Sequence, residues 1–296
     1  MTAPRAAGDS APGSGGLLAG RAGVARRLTR QRGAVVGLVI LAALVLLAVG
    51  APWLSPADPI KTAPRQALEP PGARYLLGSD QFGRDVASRV LHGARISLAV
   101  GLIAVSIAVG LGTPLGLVSG FYGGRVDGLV MRVMDVLLAF PGILLALAIV
   151  SVLTPGLTNV MIAVGLSAVP AYARLVRATV LSARENLYVE AARAIGGGDL
   201  AILVRYILPN VVAPLIVTAT LGLGTAILSA AALSFLGLGS QPPQPEWGRM
   251  LSEGRDYLRE AWWISTFPGV GIMLTVLAMN LLGDGLRDVL DPRLKV

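Results

Sequence analysis

Six stretches of this chain approach the roughly 20 apolar residues that a helix needs to cross bilayer hydrocarbon. They run over 33–54, 97–119, 129–153, 158–173, 211–238 and 264–283, and the middle third of each carries no Asp, Glu, Lys, Arg or His. The chain has 296 residues, 54% hydrophobic and 14% charged, whereas soluble domains carry about 25% charged residues. The expected fold class is all-α: a polytopic membrane protein with six transmembrane helices. The fourth stretch is short and contains Pro170. Arg174 and Arg177 at its end extend it by a turn if their stems snorkel to the interface.

Charge sets the expected sidedness. With the N-terminus inside, segments 1–32, 120–128, 174–210 and 284–296 are cytoplasmic, as is the C-terminus. Counting residues at span edges, that side holds sixteen of the 25 Lys and Arg, while the acids divide almost evenly. This is the sign of the positive-inside rule. Trp53, Trp247, Trp262 and Trp263 all fall on the other side, where an interfacial aromatic belt would place them. Residues 1–32 are Gly/Ala/Pro/Ser-rich and read as a disordered basic cytoplasmic tail. Ala48-Val49-Gly50 looks a little like a cleavage site. The region before it is long and the apolar run is span-length, so 33–54 is expected to stay as the first transmembrane helix. An extracytoplasmic loop, 55–96, follows. Its part 55–78 is Pro-rich, and from Arg84 to Arg95 charged and apolar residues alternate at helical spacing, which predicts an amphipathic interfacial helix. The core domain, 97–296, holds five more spans and the cytoplasmic loop 174–210.

Several chemistries are excluded. There is no cysteine, hence no thiolate metal site, and the single histidine, His92, cannot hold a metal alone. The two lysines, Lys61 and Lys295, lie in no G-x4-G-K-[ST] context, so the chain has no P-loop and any ATP is bound by another polypeptide. Ser97, Ser106, Ser167, Ser229 and Ser234 have no histidine or lysine in their spans to activate them, so no catalytic residues are expected. Uncharged midplanes argue against an ion-coupled secondary carrier. The net charge of +8 comes from arginines that punctuate apolar helices rather than from one basic face, which argues against nucleic acid.

The loop 174–210 is far longer than the usual 2–8 residues between bundle helices. It carries Glu190-Ala191-Ala192-Arg193-Ala194-Ile195-Gly196. Asn186–Ile195 predicts a short helix, ended by Gly196-Gly197-Gly198. Asp199 then caps a second helix through Leu208, and Pro209 breaks it. Two short helices at a flexible corner form a knob that can fill a partner's groove and transmit a rigid-body push. In the second span, Gly112, Gly116 and Gly120 keep small residues at four-residue spacing, which lets another helix approach closely.

The spacing E-A-A-x3-G-x11-L-P resembles the loop by which ABC importer permeases engage their ATPase. Three further segments narrow the resemblance: Leu77-Gly78-Ser79-Asp80-Gln81-Phe82-Gly83-Arg84-Asp85, Leu233-Ser234-Phe235-Leu236-Gly237-Leu238-Gly239, and Asn280-Leu281-Leu282-Gly283-Asp284-Gly285-Leu286-Arg287-Asp288. Together they are similar to the C-type permease subunit of dipeptide/oligopeptide/nickel ABC importers. The resemblance implies a type I importer permease fold in the cell inner membrane. It also implies a second homologous (B-type) permease, two ABC ATPases that bind ATP and Mg, and an extracytoplasmic substrate-binding protein, with no cofactor or metal in this chain. Carried onto this sequence, it makes Glu190, Ala191, Ala192, Arg193, Gly196, Gly197, Asp199, Leu208 and Pro209 the ATPase-coupling residues. Tyr206, where the pattern often has an aliphatic residue, and the triple glycine depart from it. The implied cargo is dipeptides or short oligopeptides, with nickel or another small solute as the alternative.

Overall fold

Helices account for nearly all the regular structure because a backbone in lipid must satisfy its polar groups within each segment. The computed structural model describes residues 27–290; most of the expected basic tail, 1–26, and the end of the chain, 291–296, lie outside the described residues. Ten helices are used below: α1 Arg32–Leu54, α2 Val86–Tyr122, α3 Gly124–Leu138, α4 Gly142–Leu153, α5 Leu157–Ala183, α6 Leu187–Ala194, α7 Asp199–Ile202, α8 Leu208–Phe235, α9 Trp247–Gly254 and α10 Trp263–Leu290. A π-helical turn, Leu203–Ile207, joins α7 to α8 without a gap. Among the described residues, five helical segments are long and apolar enough to cross a membrane: α1, α2, α5, α7 through α8, and α10.

The expected third span, 129–153, is not one straight helix. It is the pair α3 and α4, bent by 92°. Pro141 disfavours helical backbone at Phe140 and cannot donate into the ladder, so α3 stops at Leu138 and α4 restarts at Gly142. The fourth span, read as short, is the 27-residue α5, with Pro170 inside it. α5 continues past Arg174 and Arg177 to Ala183. Both arginines pair with acids on α3: Arg174 Nη2 is 2.5 Å from Asp135 Oδ1, and Arg177 clamps Asp127 through two bonds of 2.5 Å. The Arg177–Asp127 pair is bidentate and partly buried, whereas Arg174 and Asp135 are both more than half exposed.

The segment 55–96, expected to be extracytoplasmic, also departs from its pattern. No separate surface helix spans Arg84 to Arg95. Asp85 caps α2, accepting from the Ser88 N–H at 2.7 Å, and α2 runs unbroken to Tyr122. Arg84 and Arg89 are buried, at 3% and 1% exposure. They are held by Asp80 and by Glu253 of α9. The tryptophans divide similarly. Trp53 and Trp262 are exposed, but Trp247 and Trp263 are core residues whose indoles donate to the carbonyls of Val90 and Ser79.

α2 and α5 form the longest packed pair, with α8 against both and α10 against α1 and α8. The α2–α5 seam runs along the glycine row. A Cβ on Gly112 would sit 2.7 Å from Tyr172 Cβ, one on Gly116 2.5 Å from the Ala173 carbonyl, and one on Gly120 2.8 Å from Val180 Cβ. Bare backbone is what lets these helices touch.

Candidate functional site

The knob is built between the end of α5 and the start of α8. Its inward face is apolar. Val189 and Ala192 of α6, Ile202 of α7 and Ile207 of the π turn are buried against Phe121 of α2, Val176, Val180 and Ala183 of α5, and Val211 of α8. The knob is thus packed onto the ends of three long helices, so displacing it displaces them. Its other face leaves Leu187, Ile195 and Leu200 more than three-quarters exposed. Exposed apolar side chains of that size make this insert a candidate contact surface.

Gly196 turns the corner at φ +83°, a left-handed conformation that glycine adopts without strain. The Gly196 and Gly197 N–H groups donate to the Arg193 and Ala192 carbonyls, both at 2.9 Å, closing α6. Asp199 is not a cap. Gly198 holds that position with no side-chain bond, and Asp199 is the first residue of α7. Nor does Pro209 break the chain's course. The wide turn Leu203–Ile207 shifts the hydrogen-bond register, so the residue that cannot donate falls in the first turn of α8.

Of the sequence-predicted coupling residues, Glu190, Arg193 and Asp199 come together, lining a surface cleft of about 540 Å³ with Phe121, Tyr122 and Arg184. The Arg193 guanidinium lies 5.5 Å from the centre of the Phe121 ring, which ties the cleft to the end of α2. Ala191 is exposed beside it and Ala192 faces the core. Leu208 packs partly into the buried cluster, whereas Pro209 points elsewhere. It lines a second cavity of about 630 Å³ with Leu175, Asn210, Pro214, Leu221 and Arg287.

A further cavity, about 470 Å³, lies between α2, α4, α5 and α8, walled by Val105, Val164, Ser167, Tyr172, Thr218 and Ser229 among others, with no charged residue in its lining. In the sequence Ser167 and Ser229 read only as inert serines. Their spacing could not show that they face one space.

At the opposite end from the knob, Glu246 caps α9, its carboxylate accepting from the Gly248 and Arg249 N–H groups at 2.8 and 2.9 Å. Burial pushes this carboxyl above the ordinary carboxylate range, against the pull of those bonds. A raised carboxyl binds its proton more tightly in the folded state. Its contribution to stability is therefore complete below the ordinary carboxylate pKa and is lost as pH rises through the elevated one. Unfolding midpoints of the wild type and Glu246→Gln, measured from about pH 4 to pH 8, should differ in slope, with the wild type losing more stability as pH rises. Parallel profiles would show that Glu246 does not titrate over this range.

The family described as "Binding-protein-dependent transport system inner membrane component" matches residues 112–296, which include the knob and both cavities' α5 and α8 walls. The chain belongs to that family. Residues 22–71 match a second description, "N-terminal TM domain of oligopeptide transport permease C". Relatives include the dipeptide transport system permease protein DppC of Alkalihalophilus pseudofirmus, 50% identical over 270 residues, which are 91% of this chain and 89% of the relative. The di/tripeptide permease DppC of Pseudomonas aeruginosa is 51% identical over 271 residues, 90% of this chain and 89% of its own. The glutathione permease GsiD of Escherichia coli is 49% identical over 271 residues, 91% and 89% of the two chains. Among solved structures, the inward-facing MetNI methionine ABC transporter matches with a TM-score of 0.56 at 21% identity, covering 68% of this chain and 95% of that one. That likeness shows the fold, the type I ABC importer permease. This chain is a multi-pass inner-membrane permease subunit, and a non-catalytic one.

Proposed function

We propose that this permease forms one half of the path by which dipeptides and short oligopeptides enter the cell. The cargo is handed over by an extracytoplasmic binding protein and moved by alternating access. A second, B-type permease completes the path, and two ATPases that bind ATP and Mg dock on the permeases from the cytoplasm. Both termini and the knob lie on the cytoplasmic side. Glu190, Ala191, Ala192, Arg193, Gly196, Gly197 and Asp199 form the surface that takes the ATPase's push, and Leu208 and Pro209 pass it to α8.

The observation that carries this reading is the placement of the knob. It is packed onto α5 and α8, and the same two helices wall the uncharged cavity. A push on the knob therefore reaches the cavity through elements that move as rigid bodies. The lining suits zwitterionic cargo of varied side chain, because hydroxyls can serve amide and carboxylate groups while no fixed charge selects for or against either end. Peptide is preferred to nickel because the relatives are named for dipeptide and di/tripeptide transport.

In the reconstituted complex, Glu190→Ala and Gly196→Pro should reduce peptide-stimulated ATP hydrolysis to its unstimulated level while membrane insertion stays normal. Proline cannot adopt the φ of +83° found at Gly196, so the corner must re-form. Full stimulation in both variants would remove the role given to the knob. A cysteine at position 196 that reacts only from the extracellular face of sealed cells would put the knob on the wrong side.

A further inference from the structure

The two cavities share part of one wall. The 470 Å³ cavity and the 630 Å³ cavity both have Thr218 and Leu221 in their walls. Along α8 the lining residues Pro214, Thr218, Leu221, Thr225 and Ser229 recur every three or four positions, which places them on a single face of the helix. On α5, Tyr172 lines the first cavity and Leu175, about one turn on, lines the second. The two cavities thus lie one after the other along α5 and α8, from Ser229 towards Pro209 and Arg287, and Tyr172 of the first stands beside the shared wall residue Thr218.

At that level one polar contact crosses between the helices. The Tyr172 hydroxyl donates to the Thr218 carbonyl at 3.3 Å, and the residue is 4% exposed. Two glycines make the seat. A Cβ on Gly112 would be 2.7 Å from Tyr172 Cβ, and a Cβ on Gly222 would collide with the hydroxyl itself. A large aromatic is therefore held by bare backbone on both sides and by a single hydrogen bond to a carbonyl. The two helices it bridges are those that carry the knob.

We infer that Tyr172 is the gating residue of this chain's half of the path, its ring and hydroxyl closing a waist between the two cavities, the outer chamber and the inner one. A bond to a main-chain carbonyl is easily exchanged as α5 and α8 shift, since a carbonyl has a second lone pair and the hydroxyl rotates freely. When the knob moves the two helices apart, the hydroxyl leaves Thr218 and the ring swings away from Gly222, joining the chambers. The inference rests on the importer reading above, deepening it by naming the residue that separates the two sides.

The absence of native cysteine in this chain allows a direct test. In the complete complex, a Ser229→Cys probe reports the outer chamber and an Asn210→Cys probe the inner one. A membrane-impermeant thiol reagent is added from the side on which a cysteine at position 196 reacts. Tyr172→Phe keeps the ring and removes the bond, so the Ser229→Cys probe should react about five-fold faster, the population change that one neutral hydrogen bond commands, while the Asn210→Cys probe keeps its rate. Gly222→Ala should give a similar acceleration by displacing the hydroxyl. Added to Tyr172→Phe it should give little more, because the added methyl would then lie 3.4 Å from ring Cζ. An unchanged Ser229→Cys rate in Tyr172→Phe overturns the gate. Equal acceleration of both probes also overturns it, since that is general loosening rather than an opened waist. The labelling needs neither cargo nor ATP hydrolysis, so failure of peptide transport and failure of the gate give different results.

Discussion

Arg89→Met should lower the free energy of unfolding by about 3 kcal/mol, the lower end of the range for breaking a buried ion pair. Arg89 is 1% exposed, and its guanidinium serves four acceptors. It donates to the carbonyls of Pro59 and Pro243 at 3.1 and 3.3 Å and to Glu253 Oε2 at 3.2 Å, and its Nε lies 3.4 Å from Asp80 Oδ2. Methionine fills much of the volume but satisfies none of these groups, and two buried carboxylates lose a counter-charge. The loss stays at the lower end because Arg84 still reaches both acids, at 2.5 Å to Asp80 and 2.9 Å to Glu253. Denaturant unfolding in detergent gives the comparison. The control is Arg74→Met, whose pair with Glu69 spans 3.9 Å with the arginine side chain 62% exposed, and which should change stability by less than about 0.5 kcal/mol. Equal effects of the two substitutions would show that the cluster is not a structural clamp.

Gly116→Leu should also cost about 3 kcal/mol, through overpacking. The new Cβ would stand 2.5 Å from the Ala173 carbonyl oxygen and 2.6 Å from Val176 Cβ. A carbonyl in mid-helix cannot step aside without moving α5, so the α2–α5 seam must open. Gly110→Leu is the matched control. It lies in the same helix, and a Cβ placed there would have nothing within 4 Å, so leucine meets open space and favours the helix by propensity. The thermal midpoint should fall for Gly116→Leu and hold or rise for Gly110→Leu. A similar fall in both would mean that glycine at 116 matters for reasons other than close approach.

The misread segments have one cause. Arg84 and Arg89 alternate with apolar residues at helical spacing, as on a helix half in water. Glu253, which neutralises them, lies more than 160 residues further along the chain, and no local pattern points to it. Trp247 and Trp263 read as interfacial because tryptophan prefers interfaces, yet the remote carbonyls of Val90 and Ser79 satisfy their indole N–H groups inside the protein. The run 129–153 read as one span although Pro141 interrupts it, and a proline does not state the angle between the pieces, here 92°. For the knob, the short helix before Gly196 and the turn at that glycine were legible because both are local. The smooth passage through Pro209 was not, since it depends on a shifted hydrogen-bond register upstream.

The sequence by itself determined that this chain lives in a membrane as a set of apolar helices with a polar insert, and that it cannot bind ATP through a P-loop. These properties follow from composition, run length and short motifs, all read along the chain. Only the tertiary structure decided which glycines meet which backbone, that buried arginines clamp the loop to α9, and that the Tyr172 hydroxyl reaches the Thr218 carbonyl. The reason is that small and hydroxyl-bearing residues look alike in sequence whether they pack against a helix or line a space. Which they do depends on the residue opposite, and that residue comes from another part of the chain.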